Sequence, residues 1–104
     1  MVMNNLIEVI KGNSKTVVCA VSGLESLTGF TASLIVKKNK TDSDSLKTFE
    51  VTGNIIAMDV IFVISAANNT KTASEYFFEI VLTNGSEVFS PNQGIYRIIQ
   101  SVKY

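Results

Sequence analysis

The apolar residues of this chain recur at every second position, and this alternation restricts the possible fold more than any other feature of the sequence. Residues 75–83 show it most clearly, since every even-numbered residue from Tyr76 to Leu82 is large and apolar. A period of two places these side chains on one face of a β-strand. Asn84-Gly85 follows directly and is a strong signal for a two-residue hairpin.

The same reading divides the chain into about eight strands separated by polar or glycine-containing turns, with no convincing helix. The predicted strands span residues 6–10, 15–22, 30–38, 46–52, 55–65, 75–83, 86–90 and 95–102. Gly53-Asn54 is interpreted as a hairpin, residues 66–74 as a polar excursion with room for one helical turn, and residues 91–94 as a turn or bulge. This spacing predicts an antiparallel, all-β sandwich of the immunoglobulin-like kind, with a small closed barrel as the alternative.

Alternation also predicts which side chains form the core. The nine expected to be mostly buried are Leu34, Val36, Phe49, Met58, Val60, Phe62, Phe78, Ile80 and Leu82. In residues 55–65 both faces are apolar, so this strand is expected to be central or to be covered by a partner.

Length and charge limit the classes of function. The 104 residues are enough for one domain, residues 1–104, and too few for two. Nine Lys and Arg balance nine Asp and Glu, which argues against nucleic acid or a polybasic membrane anchor as a partner. A net charge of zero does little to prevent self-association, which is therefore a possible property of the chain.

No residue pattern indicates catalysis, a cofactor or a metal. The chain has no His, and Cys19 is its only cysteine, inside an apolar run where a small buried side chain is expected. The sequence from 42 to 44 superficially resembles the start of a calcium loop but is interpreted as a solvated loop, and Asp59 is expected to face solvent or pair with a Lys. The start of the chain has no signal-peptide pattern, so synthesis in a cytoplasm is expected.

Several short segments resemble a family of small immunoglobulin-like domains in phage structural proteins, the domain at the N-terminus of phage baseplate upper proteins. The resemblance extends over about residues 7–101. It is carried by residues 11–16 (a turn, then a strand), 27–30 with 34–38 (an LTG segment, then a strand ending in lysines), 42–46 (an acidic loop), 76–85 (a hairpin) and 94–99 (the closing strand).

The resemblance implies a structural protein of the virion, made in the cytoplasm of the bacterial host. Baseplate proteins of this kind continue into a longer C-terminal region, whereas this chain stops at Tyr104. We therefore expect an auxiliary or decoration protein docked on the major capsid protein or on other virion proteins. The alternatives are a baseplate, tail or head-fibre attachment protein and, from a different class, a carbohydrate- or ligand-binding module.

A docking surface is predicted where alternation leaves apolar residues on the face opposite the core. The candidate residues are Ile61, Val63, Phe77, Val81 and Ile95. If the strands that carry them lie in one sheet, they form one apolar patch, and such patches mark interfaces. If this patch does not dock, the loops at residues 39–45 and 66–74 are the next candidates.

Overall fold

A computed structural model describes residues 6–102, which form eight strands and two short 3₁₀ turns. The strands are β1 (Leu6–Ile10), β2 (Lys15–Ala20), β3 (Thr31–Lys37), β4 (Phe49–Thr52), β5 (Asn54–Ile56), β6 (Asp59–Ile64), β7 (Ser74–Thr83) and β8 (Val88–Ile99). The 3₁₀ turns span Asp44–Leu46 and Ala66–Thr70. The second lies where the sequence predicted a helical turn.

The strands build two sheets that enclose one core. The large sheet has the order β1-β8-β7-β3-β4 and the small sheet the order β2-β6-β5. All neighbours are antiparallel except β1 and β8, which run parallel. The predicted two-layer, all-β architecture is confirmed, because the two sheets pack face to face over one core of buried apolar side chains.

The core contains eight of the nine residues predicted for it. Leu34, Val60, Phe62, Ile80 and Leu82 have no exposed surface, and Val36, Phe49 and Phe78 are also buried. Met58 is only partly buried and packs against the edge of the core. Cys19 is buried as expected, and Asp59 is exposed.

The region around Gly53 differs from the prediction. Gly53-Asn54 is not a hairpin, because β4 lies in the large sheet and β5 in the small one, so the chain crosses between sheets here. The hairpin comes later, where Ala57 and Met58 join β5 to β6 and Ala57 adopts a φ of 56°. The single strand predicted for residues 55–65 is therefore two strands. This turn also leaves Ile56, which shares its alternation with the predicted core residues Met58, Val60 and Phe62, 55% exposed.

Two further strand boundaries were wrong. The strand predicted for residues 46–52 begins only at Phe49, because the 3₁₀ turn occupies the preceding segment. The two strands predicted after the Asn84-Gly85 hairpin are one continuous strand, β8, which runs through Pro91 and Gly94. The β7–β8 register shifts between Ile80 and Leu82, so a bulge accommodates the residues that resembled a turn.

A tyrosine fixes the corner between the two sheets where β7 begins. The Tyr76 hydroxyl donates a 2.7 Å hydrogen bond to the carbonyl oxygen of Thr72, four residues earlier. This is the tyrosine corner of immunoglobulin-type sandwiches, in which a cysteine follows the tyrosine by two residues in antibody domains. Phe78 occupies that position here, so apolar packing takes the place of a disulfide.

Candidate functional site: the outer face of the five-stranded sheet

The outward side chains of β3, β7 and β8 leave an apolar depression on the large sheet, which we call the groove face. In the sheet register, Phe77 lies between Lys37 of β3 and Ile95 of β8, and Val81 lies opposite Ser33. The depression has a volume of about 360 Å³. The residues that line it are Ile35, Lys37, Lys40, Phe77, Phe78, Glu79, Val81, Val88 and Gln93.

The β-bulge explains why the surface is hollow at this point. Val81 falls where the ladder between β7 and β8 is irregular, and it has no register partner on β8. Two strands that lose regular pairing diverge locally, which leaves room between their side chains. The bulge therefore places the half-buried Phe77 and Val81 beside an opening. Val88, which is 74% exposed, forms part of the border of this opening.

The five residues predicted as one docking patch do not lie together. Phe77, Val81 and Ile95 are on the outer face of the large sheet, whereas Ile61 and Val63 are on β6 in the small sheet. The condition for a single patch, that both strands share a sheet, is not met. The chain crosses to the small sheet at Gly53 and returns to the large sheet between β6 and β7, and sequence alternation alone does not reveal such crossings.

Among the lining residues that sequence reasoning did not assign to the site, two are outward apolar side chains, Ile35 and Val88. Ile35 breaks the polar face of β3, and its position opposite Glu79 in the register brings it next to the depression. That break in the alternation was the signal that could have identified it. Val88 had no such signal, because its place depends on the continuous course of β8.

Charged and polar groups surround the apolar centre of the groove face. Lys37 and Lys40 lie at one side, and the Lys37 ammonium donates a 2.8 Å hydrogen bond to the carbonyl oxygen of Asp42. Glu79 accepts a 2.6 Å hydrogen bond from the hydroxyl of Ser90. An apolar centre with a polar rim is the usual arrangement of a protein-binding surface.

An exposed ionic cluster lies on the same outer face beyond Ile95. Arg97 of β8 is opposite Glu8 of β1 and Glu75 of β7, and its guanidinium lies 2.8 Å and 2.6 Å from their carboxylates. Hydrogen bonds to Glu75 and then to Glu8 raise the pKa of Arg97. Arg97, Glu8 and Glu75 thus form ion pairs with one another and make this end of the outer face polar. The groove is the apolar part of the same face.

The described residues offer little for catalysis or metal binding. Between residues 6 and 102 no group of three or more Cys, Asp or Glu side chains could hold a metal ion. Burial, followed by the nearby charge of Asp59, raises the pKa of the Cys19 thiol, which disfavours the reactive thiolate. A second depression, of about 430 Å³, is formed by the loop at residues 25–28 with Ile55, Ala57 and Met58. In the described part of the chain, no helix is long and apolar enough to cross a membrane.

Comparison with known proteins finds relatives in fold alone. No protein-family model and no curated protein sequence matches the chain. Among solved structures, the extracellular domain of mouse leukocyte-associated immunoglobulin-like receptor 1 matches with a TM-score of 0.54 and 18% identity, over 92% of this chain and 89% of that chain.

A second structure of the immunoglobulin-like domain of that mouse receptor gives a TM-score of 0.56 and 18% identity, over 92% of this chain and 90% of that chain. Both structures are strand-swapped dimers of the receptor domain. Identity at this level establishes the fold and nothing about partners. The chain therefore has an immunoglobulin-like β-sandwich fold.

Proposed function

We propose that this chain is a non-catalytic binding module of a phage virion, an auxiliary or decoration protein that docks on the capsid shell through the groove face. The assignment to a virion rests on the resemblance of residues 7–101 to the immunoglobulin-like domain of phage baseplate upper proteins. The assignment to a binding role rests on the surface of the fold. A fold of this kind hosts many functions, so the site carries the argument.

The observation that carries the proposal is the apolar depression around Phe77 and Val81. An outer sheet face in contact with water is expected to present polar side chains, yet Ile35, Phe77 and Val81 all point outward here. Fully buried core residues lie directly behind them on β7, so these side chains are not needed to complete the core. A partner that covers the groove face would remove this apolar surface from water.

The rim of the groove face fits a protein surface of mixed charge. Lys40 lies in the rim where an acidic group of a partner could approach it, and Glu79 and Gln93 lie where basic or hydrogen-bonding groups could approach them. A capsid shell presents many identical copies of such a surface. Each decoration protein then needs only one modest apolar contact, with specificity supplied by the rim.

The test is a double substitution at the groove, Phe77→Ser with Val81→Ser, introduced into the gene that supplies the protein to assembling particles. Loss of the apolar contact should remove the protein from purified particles, and circular dichroism should show that the isolated domain remains folded. The matched control is Ile10→Ser with Ile99→Ser, which removes two exposed apolar side chains from β1 and β8 outside the groove lining. Normal incorporation of the folded groove mutant would exclude the groove face.

A baseplate, tail or head-fibre location is the nearest alternative and uses the same face with a different partner. Particles separated into heads and tails distinguish the two locations. Recovery of the chain with the heads supports capsid decoration, and recovery with tails or baseplates supports the alternative.

Self-association is a second part of the proposal. With nine positive and nine negative side chains, copies of the chain do not repel one another through net charge. The mouse receptor domain with the same fold forms strand-swapped dimers. Sedimentation velocity over a range of protein concentrations tests this part, and a single monomeric species throughout would contradict it.

A further inference from the structure

The small sheet has an edge strand that is long and weakly protected. Within residues 6–102, β2 is hydrogen-bonded to β6 alone, and its other side forms the edge of the sheet. It has six residues, more than the other edge strands β1, β4 and β5, which have five, four and three. Backbone groups along such an edge are a template for another strand.

The other three edges carry the features that normally prevent strand addition. β1 holds Glu8 in an ion pair with Arg97, and β4 holds Glu50 at 2.8 Å from Lys47. β5 is too short to be an effective template. In contrast, β2 carries a charge only at its first residue, Lys15, and continues with β-branched and small residues.

The outer face beside this edge is apolar. Val18 of β2 is 60% exposed and lies next to Ile61 of β6, while Val63, 66% exposed, lies next to Thr16. The outward residues of the small sheet are Thr16, Val18, Ala20, Asn54, Ile56, Asp59, Ile61 and Val63. Asp59 is the one charged residue among them, so this face resembles part of an interface more than a solvated surface.

We propose that a second copy of this chain pairs with the β2 edge, antiparallel and centred on Val18, so that two small sheets join into one six-stranded sheet. This specifies the self-association proposed above and is independent of the virion assignment. In an antiparallel pair, the side chains of two directly opposite residues project from the same face of the sheet. The inner faces of the two copies therefore coincide only when the two-fold axis passes midway between the two copies of one residue. With the axis at Val18, each Val18 contacts the other, Thr16 faces Ala20, and Val17 faces Cys19 of the second copy.

This register is favourable on both faces of the joined sheet. The outer face gains a continuous apolar row in which the two Val18 side chains are flanked by the two Ile61 side chains. On the inner face, Val17 meets Cys19, so two partly or fully buried small side chains extend the core across the junction. Moving the axis to Val17 would instead place each Val18 opposite Thr16 of the second copy, which would interrupt this apolar row.

Charge is arranged to permit the contact. In the proposed register the two Lys15 residues lie about 20 Å apart along the strands, at opposite ends of the junction. The Asp59 residues are likewise at opposite ends, next to Ala20 of their own copies. No like charges meet, which is the electrostatic condition for two identical surfaces to associate.

The first test compares two substitutions of exposed apolar residues by lysine. Val18→Lys places a charge at the centre of the edge, as natural edge strands do, and should weaken dimerisation in sedimentation velocity at least about tenfold. Leu46→Lys, at an apolar residue of similar exposure outside both the β2 edge and the groove face, should leave the dissociation constant unchanged. Equal dimerisation of the wild type and Val18→Lys would overturn the proposal.

The second test reads the register directly and does not depend on affinity. In a Cys19→Ala background, Val18→Cys should form a covalent dimer with a short bismaleimide, because the two positions are adjacent. Val63→Cys in the same background should not, because in this register the two positions are about 20 Å apart. If the protein dimerises but Val18→Cys does not cross-link, edge pairing is contradicted and self-association is not. Exchanged strands or contact through another face would give this result.

Discussion

The hydroxyl of Tyr96 donates a 2.5 Å hydrogen bond to Oδ1 of Asn69, and both side chains are completely buried. The Nδ2 group of Asn69 donates in turn to the carbonyl oxygen of Asn13 at 2.6 Å, and its backbone oxygen accepts from the amide of Gly12. Asn69 thus connects the 3₁₀ turn Ala66–Thr70 to the β1–β2 turn and to β8. A buried polar group of this kind is stabilising only while its partners are present.

Substitution of Tyr96 by Phe should destabilise the domain, because it leaves the amide oxygen of Asn69 buried without its donor. The expected loss in free energy of unfolding is about 1–3 kcal/mol. Urea unfolding followed by circular dichroism measures it, with Asn68→Ala in the same turn as the control. A midpoint for Tyr96→Phe equal to that of the wild type would show that the hydrogen bond contributes nothing to stability.

Stability should also fall at high pH because of the same tyrosine. Burial raises the pKa of Tyr96 from 10.0 to about 12. A group whose pKa is higher in the folded state stabilises the fold fully below its unfolded pKa. That contribution is lost as the pH rises from 10 to about 12, because in this range Tyr96 ionises in the unfolded chain before it ionises in the folded domain.

Ultraviolet titration of tyrosinate together with thermal melting tests this pH dependence. The wild type should lose stability more steeply above pH 10 than Tyr96→Phe, and the variant should lack the last tyrosinate step. Ionisation of all three tyrosines near pH 10 in the folded wild type would contradict the burial argument.

Truncation of Phe62 should be among the most damaging changes in the core. Phe62 has no exposed surface and lies in the centre of the small sheet, so Phe62→Ala leaves a cavity and should cost about 3–5 kcal/mol. Phe77→Ala, on the groove face, is the matched control and should cost clearly less because Phe77 is only half-buried. Melting temperatures that rank the two variants the other way would reverse the assignment of inner and outer faces.

The core was predictable from the sequence because alternation reports directly which residues share a strand face. Val36, Phe62 and Ile80 are correctly placed for this reason. The predicted hairpin between β7 and β8 is present, but its connection spans residues 84–87 and not Asn84-Gly85 alone. Alternation carries no information about which sheet a strand joins. The crossing at Gly53 was therefore missed, and with it the separation of Ile61 and Val63 from the groove face.

The buried polar unit had no signal in the sequence. Asn69 belongs to a segment that was interpreted as a polar excursion with room for one helical turn, and its burial follows from contacts with Tyr96 and Asn13, which are 27 and 56 residues away in the chain. Long-range contacts of this kind depend on the complete fold. Of the groove itself, Phe77 and Val81 were identified from sequence, whereas Val88 and the bulge that shapes the depression were not.

Gly53 should tolerate no side chain, because the core lies against its backbone. A Cβ atom at this position would lie 2.7 Å from Cε1 of Phe62 and 2.7 Å from Cγ1 of Val60, both fully buried. Gly53→Ala must therefore displace part of the core, at a cost of about 1–3 kcal/mol. Gly23→Ala makes a control for steric contact, since a Cβ atom there meets nothing within 4 Å although its φ of +91° adds strain of its own. If calorimetry finds Gly53→Ala as stable as the wild type, the close approach of β4–β5 to β6 is wrong.

The proposed docking through the groove face is tested most directly by cryo-electron microscopy of purified particles of the phage proposed to encode the chain, after mass spectrometry has established their protein content. We expect the chain to be present in the particles, with density for a β-sandwich on the capsid shell, Phe77 and Val81 in the contact and the small sheet turned away from it. Absence of the chain from purified particles would contradict the virion assignment, and a bound sandwich whose Phe77 and Val81 face solvent would contradict the docking surface.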